Sequence, residues 1–300
     1  MPDALVRPDS ILLATDLSAR SDRARERAIQ LARQWGASLV SVVVVPADAS
    51  FSRANAFVED EADTDAPPPE TPGERIARLA QEDLAEAGVP VRVQVASGTV
   101  GPTLLQVARE LGCGLIVTGT ARADAVQRID PGSTLNWLAR HSEVPVLAVH
   151  DRVRGAYGHV AMASDLSQAA RMAVATAERW FGDAPRCSLL HAYDVPLASM
   201  ASAAEAQAAT LAAARQDADR QANEYLAATL GEGASRWRRD VRMSNPVRLV
   251  RECAHGEGID LVVIASHGRS RLVDKLIGSV ATRLLETVPT DLLVIRTPVP

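Results

Sequence analysis

A chain of 300 residues with 47% hydrophobic side chains holds enough apolar material for two cores, since single domains cluster near 150 residues. Its net charge of −5 gives no global attraction to nucleic acid or to an anionic membrane surface. It has no apolar run of the roughly 18 residues a membrane span needs, and no charged-then-apolar N-terminus, so neither a span nor a signal peptide is expected.

The predicted elements alternate. Ile11–Ala14 is a short apolar run ending at Asp16, the pattern of a buried parallel strand. Ser18 or Ser21 can then cap a helix whose apolar positions are Ala24, Ala28, Leu31 and Trp35, stopped by Gly36. Leu39–Val45 is a second strand. An acidic, proline-rich stretch over 47–73, with Glu59-Asp60-Glu61 and Pro67-Pro68-Pro69, reads as an excursion. A helix over 74–87, a strand over Val91–Ala96, a helix over 102–111, a strand over Leu115–Gly119, a helix over 133–142 and a last strand over Val144–His150 complete the first half. The second half repeats the order: strands at Val160–Ala163, Leu189–Val195, Trp237–Met243, Leu261–Ala265 and Asp291–Arg296, and helices at 167–181, about 202–230, 246–256 and 279–288. His150–Gly158 links the halves.

The repetition extends to residues. Ile11-Leu12-Leu13-Ala14-Thr15-Asp16-Leu17-Ser18 returns as His159 through Asp165-Leu166-Ser167, Ala37-Ser38-Leu39 as Cys187-Ser188-Leu189, and Leu115-Ile116-Val117 as Leu261-Val262-Val263. A period near 150 residues is a whole domain, not a solenoid unit. The expectation is α/β: two tandem, doubly wound, parallel five-stranded sandwich domains, over 1–150 and 151–300, with right-handed crossovers. The apolar last strands should meet on a pseudo-twofold axis, with each sheet remaining separate. In such sheets ligands sit at the carboxyl ends of the strands. There a loop enters a helix at Gly132-Ser133, and another at Gly278-Ser279. Helix N-termini offer unpaired N–H groups and a favourable dipole to an anion, although a serine after a glycine is also an ordinary cap.

A first strand ending in A-x-D-L-S, together with a fourth strand followed by G-x2-G-x9-G-[ST], resembles the universal stress protein family (UspA-like) in tandem form, over nearly the whole chain. The second half is the closer match, with Ala265-Ser266-His267-Gly268, nine residues, and Gly278-Ser279-Val280. The resemblance implies an adenine nucleotide alpha hydrolase-like fold and a site for ATP or another adenine nucleotide, with or without magnesium. It implies Asp165 beside the ribose or adenine, Ala192 framing the adenine, and Ala265, Gly268, Arg269, Gly278, Ser279 and Val280 around the phosphates. The first-half set is Asp16, Val42, Gly119, Gly132 and Ser133. It also implies that the last strands pair as family members do across a dimer axis, giving a pseudodimer within one chain.

Both copies depart from the motif. Ala265 replaces the first glycine of the second copy; it is costly if that position needs φ > 0 and nearly free otherwise. Arg122 replaces the second glycine of the first copy. The loop Ser266–Ile277 carries Arg269, Arg271, Lys275 and Asp274, a balance of +2, whereas Thr120–Pro131, with Arg122, Arg128, Asp124 and Asp130, balances to zero. Charge therefore ranks the second copy as the main nucleotide site and the first as degenerate. Three cysteines (Cys113, Cys187, Cys253) without CxxC spacing give neither a disulfide framework nor a zinc site and fit a reducing cytoplasm. No Walker, dinucleotide or nucleophile-elbow motif is present, so no catalytic residue is expected and ATP turnover would be slow at most. The competing reading is a stress scaffold that binds no nucleotide and acts through protein partners, a homodimer included; a sensor of another small anion is a third.

Overall fold

The computed structural model describes residues 4–46, 70–120, 122–123, 129–130, 132–195, 204–266 and 277–296. In the first half, strands β1 (Ser10–Ala14), β2 (Ser38–Val45), β3 (Val91–Ser97), β4 (Leu115–Gly119) and β7 (Val146–Val149) alternate with helices α1 (Asp22–Trp35), α2 (Pro72–Asp83), α3 (Val100–Glu110) and α4 (Gly132–His141). The second half has β8 (His159–Ala163), β9 (Arg186–Tyr193), β10 (Trp237–Met243), β11 (Leu261–Ala265) and β12 (Asp291–Ile295), with α5 (Gln168–Phe181), α6 (Ala204–Leu230), α7 (Pro246–Gly256) and α8 (Ser279–Thr287). A two-residue ladder, β5 (Arg122–Ala123) with β6 (Ile129–Asp130), lies in the β4–α4 connection, where the sequence suggested only a loop. The excursion expected over 47–73 lies outside the described residues as far as 69.

Local chemistry sets the helix ends. Ser167 caps α5 by accepting from Ala170 N at 3.2 Å, and Asn245 caps α7 by accepting from Val247 N at 2.9 Å. Helix α2 starts earlier than its apolar pattern suggested because Thr71 and Glu74 form a capping box around Pro72. Gly36 ends α1 in the left-handed region, at φ 69°.

All neighbouring strands within a half are parallel, in the order β3-β2-β1-β4-β7 and, equivalently, β10-β9-β8-β11-β12. The expectation of two separate sheets is corrected at one place. The last strands do meet, but they hydrogen-bond: β12 pairs antiparallel with β7 through Leu292↔Ala148, Leu293↔Leu147 and Val294↔Val146, making one ten-stranded sheet. Two apolar edge strands exposed side by side satisfy their main-chain groups most cheaply by pairing. Both faces of this sheet carry a continuous core. On one, Trp35 of α1 lies 5.5 Å from Trp180 and 5.6 Å from Phe181 of α5, ring centroid to centroid. On the other, α3 and α4 of the first half and α7 and α8 of the second share a second apolar cluster.

A buried polar knot sits where the halves join. The Asp291 carboxylate accepts from His150 N at 2.8 Å, Asp151 N at 3.0 Å, the Tyr157 hydroxyl at 2.8 Å and Arg27 Nε at 3.2 Å. The Arg27 guanidinium also stacks 3.9 Å above the Tyr157 ring. Burial pulls the Asp291 carboxyl upward, opposed by Arg27 and the main-chain donors. Removing one partner leaves the other charge buried and uncompensated, so Asp291→Asn should cost roughly 3 kcal/mol of unfolding free energy, read by urea titration. A loss below about 1 kcal/mol, the scale of an exposed pair, would show that the charge is dispensable.

His150, beside the knot, is only 6% exposed. Neither ring nitrogen finds a partner among the described residues. Burial, then the Arg23 charge, lower its pKa to about 4. Because the folded pKa lies below the unfolded one, the neutral ring stabilises fully above about pH 6.5, and that contribution is lost as pH falls toward 4. Asp291 and Asp151, both shifted upward, act in the opposite sense. The informative quantity is thus the stability difference between wild type and His150→Leu, which should move by up to roughly 3 kcal/mol against wild type from pH 7 to 4.5. A pH-independent difference would rule out a neutral His150.

Candidate functional site

The repeated Asp-Leu-Ser segment is first of all a turn. Leu17 and Leu166 have φ 58° and 60°, in the left-handed region where a leucine is strained. Matching side-chain bonds hold both. Leu17 N donates to Thr15 Oγ1 at 3.0 Å and Leu166 N to Ser164 Oγ at 3.0 Å. Ser18 N donates to Asp16 Oδ1 and Ser167 N to Asp165 Oδ1, each at 3.0 Å. Strained backbone imposed twice by the same residues marks the strand end as a built feature.

The two turns continue differently. Helix α1 begins six residues after Asp16, whereas α5 begins three after Asp165, so Ala19-Arg20-Ser21 is an addition to the first half. Ser21 and Ser18 both donate hydroxyls to Asp16 Oδ1, at 2.7 Å. Burial alone raises the Asp16 pKa, but these hydroxyls and the Ser18 N–H outweigh it and hold the carboxyl below its ordinary value. The added loop also passes over the end of β4: a Cβ on Gly119 would stand 2.9 Å from the Arg20 carbonyl oxygen. Gly119 is therefore required for close approach. Neither Gly119 nor Ala265 lies in the left-handed region, and Ala265 is an ordinary strand residue paired with Ile295.

These elements enclose a cleft of about 330 Å³ at the carboxyl ends of β1, β2 and β4, against the N-terminus of α4. It brings together all five first-half residues read from the sequence: Asp16, Val42, Gly119, Gly132 and Ser133. It adds Arg20, Val44, Val100, Leu104, Thr118, Thr120 and Thr134. Gly132 opens α4 with φ 76°, so a side chain there would be strained.

Strand register revises the position facing the ligand along β2. Thr15 N donates to Val42 O at 3.1 Å, so the Val42 carbonyl is already used. Main-chain groups in a strand alternate sides, so those of Val44 point the same way, beyond the end of β1 and into the cleft. In the second half Ala163 pairs with Leu190 as Ala14 pairs with Val42. Ala192 is thus the counterpart of Val44, not of Val42. Aligning 37–39 with 187–189 had slipped the strands by two residues, and such a slip keeps every side chain on its proper face and leaves no mark in the hydrophobic pattern.

The second half assembles the same scaffold. Asp165 follows β8, Ala192 lies past the end of β8, and Ala265 ends β11. Gly278 precedes α8, whose first residues, Ser279 and Val280, are exposed. Gly278 N donates to Ser266 O at 2.9 Å, closing the base of the connection. Gly268 and Arg269 lie outside the described residues, as do the other cations on which the ranking of the second copy rested.

Among the described residues the first-half cleft has one carboxylate, Asp16, its Oδ1 already accepting three donors. A magnesium ion there would take most of its ligands from phosphates and water. Elsewhere Asp240, Cys253 and Glu257 approach one another, but Arg242 bonds to both carboxylates. Burial and Asp240 push the Cys253 thiol up to about 12, so this cluster is an ion-pair network.

Compared with known proteins, the chain matches the model of the universal stress protein family twice, over residues 8–150 and 156–296. Universal stress protein MJ0531 of Methanocaldococcus jannaschii is 24% identical over 147 residues, 46% of this chain and 80% of that protein. A functionally unknown protein of Pseudomonas aeruginosa PAO1, PA1789, shares the fold over 97% of this chain and 93% of its own, with a TM-score of 0.66 and 18% identity. A universal stress protein solved in complex with cAMP covers 48% of this chain and 98% of its own at 27% identity, with a TM-score of 0.35.

The different reasons for Gly119 and Ala265 give opposite expectations. Gly119→Ala should force the Arg20 loop outward and destabilise the protein by about 1–3 kcal/mol. Ala265→Gly should cost only about 0.5–1 kcal/mol, through backbone entropy. Thermal unfolding of the two variants compares them directly, and a larger loss from Ala265→Gly would refute the close-approach account.

Proposed function

The chain belongs to the universal stress protein family, and from that premise we propose that it is a cytoplasmic stress-response protein that binds an adenine nucleotide in the first-half cleft. The observation that carries this reading is the convergence of an open strand edge, a carboxylate and a helix N-terminus on one cavity. The adenine lies against the β2 edge, where Val44 offers an N–H and a carbonyl, with Val100 and Leu104 as apolar neighbours. Asp16 takes the ribose hydroxyls. The phosphates lie at Gly119, Thr120 and the start of α4, where N–H groups and the Ser133 and Thr134 hydroxyls favour an anion. Among the described residues the lining contains one carboxylate, Asp16, and the hydroxyl and main-chain donors of a binding site. Three unpaired, buried cysteines fit a reducing compartment, and no helix among the described residues is long and apolar enough to cross a membrane.

The second half carries its own nucleotide site on this reading, around Asp165, Ala192, Ala265, Gly278, Ser279 and Val280, completed by Gly268 and Arg269. Loop charge favours that copy for a triphosphate; the described cavity favours the first. Carboxylates at the two helix N-termini separate them, since Asp is compatible with a helix start but repels a phosphate. Ser133→Asp should weaken titrated ATP binding by tenfold or more, a cost of about 1.4 kcal/mol. Ser279→Asp should do the same for the second site. Loss only with Ser279→Asp would move the main site to the second half. No binding to the wild type at millimolar ATP would favour a scaffold that works through protein contacts.

A further inference from the structure

We propose that Arg20 is the residue by which the first-half cleft selects phosphorylated over unphosphorylated adenosine. This rests on the nucleotide reading of that cleft and assigns its discrimination to one side chain. Four arginines follow it on α1, and each has a structural task. Arg23 donates to the His150 carbonyl, Arg25 pairs with Asp22 and Asp83, Arg27 with Asp291, and Arg33 donates to Ala87 O. Arg20 alone of this series lines the cleft, and it makes no ion pair or hydrogen bond among the described residues.

Its placement is not accidental to the chain path. It sits in the three-residue addition that the second half lacks, and its carbonyl packs over Gly119 at the mouth of the β4–α4 connection. That is the phosphate end of the cleft, opposite the apolar end at Val44 and Leu104. Asp16, the one carboxylate in the lining, stands nearby with three donors on Oδ1, which disperse its charge and reduce its repulsion of an anion. An arginine and a helix N-terminus that line one cleft offer a phosphate both a bidentate donor and a favourable field. Apolar and main-chain contacts at the far end are blind to phosphorylation. Discrimination therefore falls to Arg20 together with the start of α4.

Calorimetric titration of the full chain with AMP and with adenosine tests this. Arg20→Gln should weaken AMP about tenfold, the scale of one charge-assisted contact, and change adenosine less than twofold. Arg20→Lys should recover part of the AMP affinity. Arg20 is exposed and its packing on Gly119 is through main chain, so both variants should keep the wild-type melting temperature. Equal losses for both ligands, or no loss for AMP, would overturn the role of Arg20 while leaving nucleotide binding intact. Failure of the wild type to bind either ligand would instead overturn the nucleotide reading beneath it.

Discussion

The Asp291 carboxylate is the constraint on which the joined architecture depends. It stands at the first residue of β12 and gathers donors from the first half (Arg27, His150) and from the link (Asp151, Tyr157). Main-chain pairing of β7 with β12 supplies the ladder, but a ladder of apolar residues does not resist sliding by two. A buried charge with four fixed donors does, because any other register would strand Arg27 without a counter-charge. The knot thus specifies the register of the seam, in the way buried polar groups can fix one arrangement among several of similar apolar burial. The aromatic contact of Trp35 with Trp180 and Phe181 then closes α1 on α5 across the seam.

Much of the fold was legible because its signals are local and repeated. Apolar runs ending at Asp16 and Asp165 gave the first strands, and helix stops at Gly36 and Gly182 held to within a residue or two. Family resemblance and strand order agreed with the architecture found. The apolar pattern alone does not show a continuous sheet, since an edge strand and an interior strand of a parallel sheet share it; pairing of the last strands is implied by the resemblance alone. The correspondence of β2 with β9 was misread by two residues for a related reason. Alternation has a period of two, so only hydrogen-bond register could place Val44 opposite Ala192.

The sequence names five first-half residues that the structure brings to one cleft, and it does not show what each does there. The resemblance puts Asp16 beside the ribose or adenine, and the structure shows its Oδ1 accepting from Ser18 and Ser21 within the turn. Gly119 is named by the resemblance as a phosphate-loop glycine, and the structure adds that it admits the Arg20 carbonyl at close approach. In both cases the sequence displays residue type, while the role depends on a neighbour brought in by the three-residue addition. Ala265 illustrates the converse. Its departure from the glycine pattern is costly only at φ > 0, and Ala265 lies outside that region in a half that has no such addition after Asp165.

The antiparallel meeting of β7 and β12 has a geometric corollary. Every strand of one half runs opposite to every strand of the other, so the carboxyl ends that carry the first-half cleft and its second-half counterpart face away from each other, at opposite ends of the shared sheet. Ligands on the two rims cannot touch or repel at close range, and no single small partner can cover both. Any thermodynamic linkage between them would pass through the seam: the three residue pairs Leu292–Ala148, Leu293–Leu147 and Val294–Val146, the Asp291 knot, and the helices packed across that line. The molecule is in that sense two-faced, with its two strand-end rims turned in opposite directions along one continuous sheet.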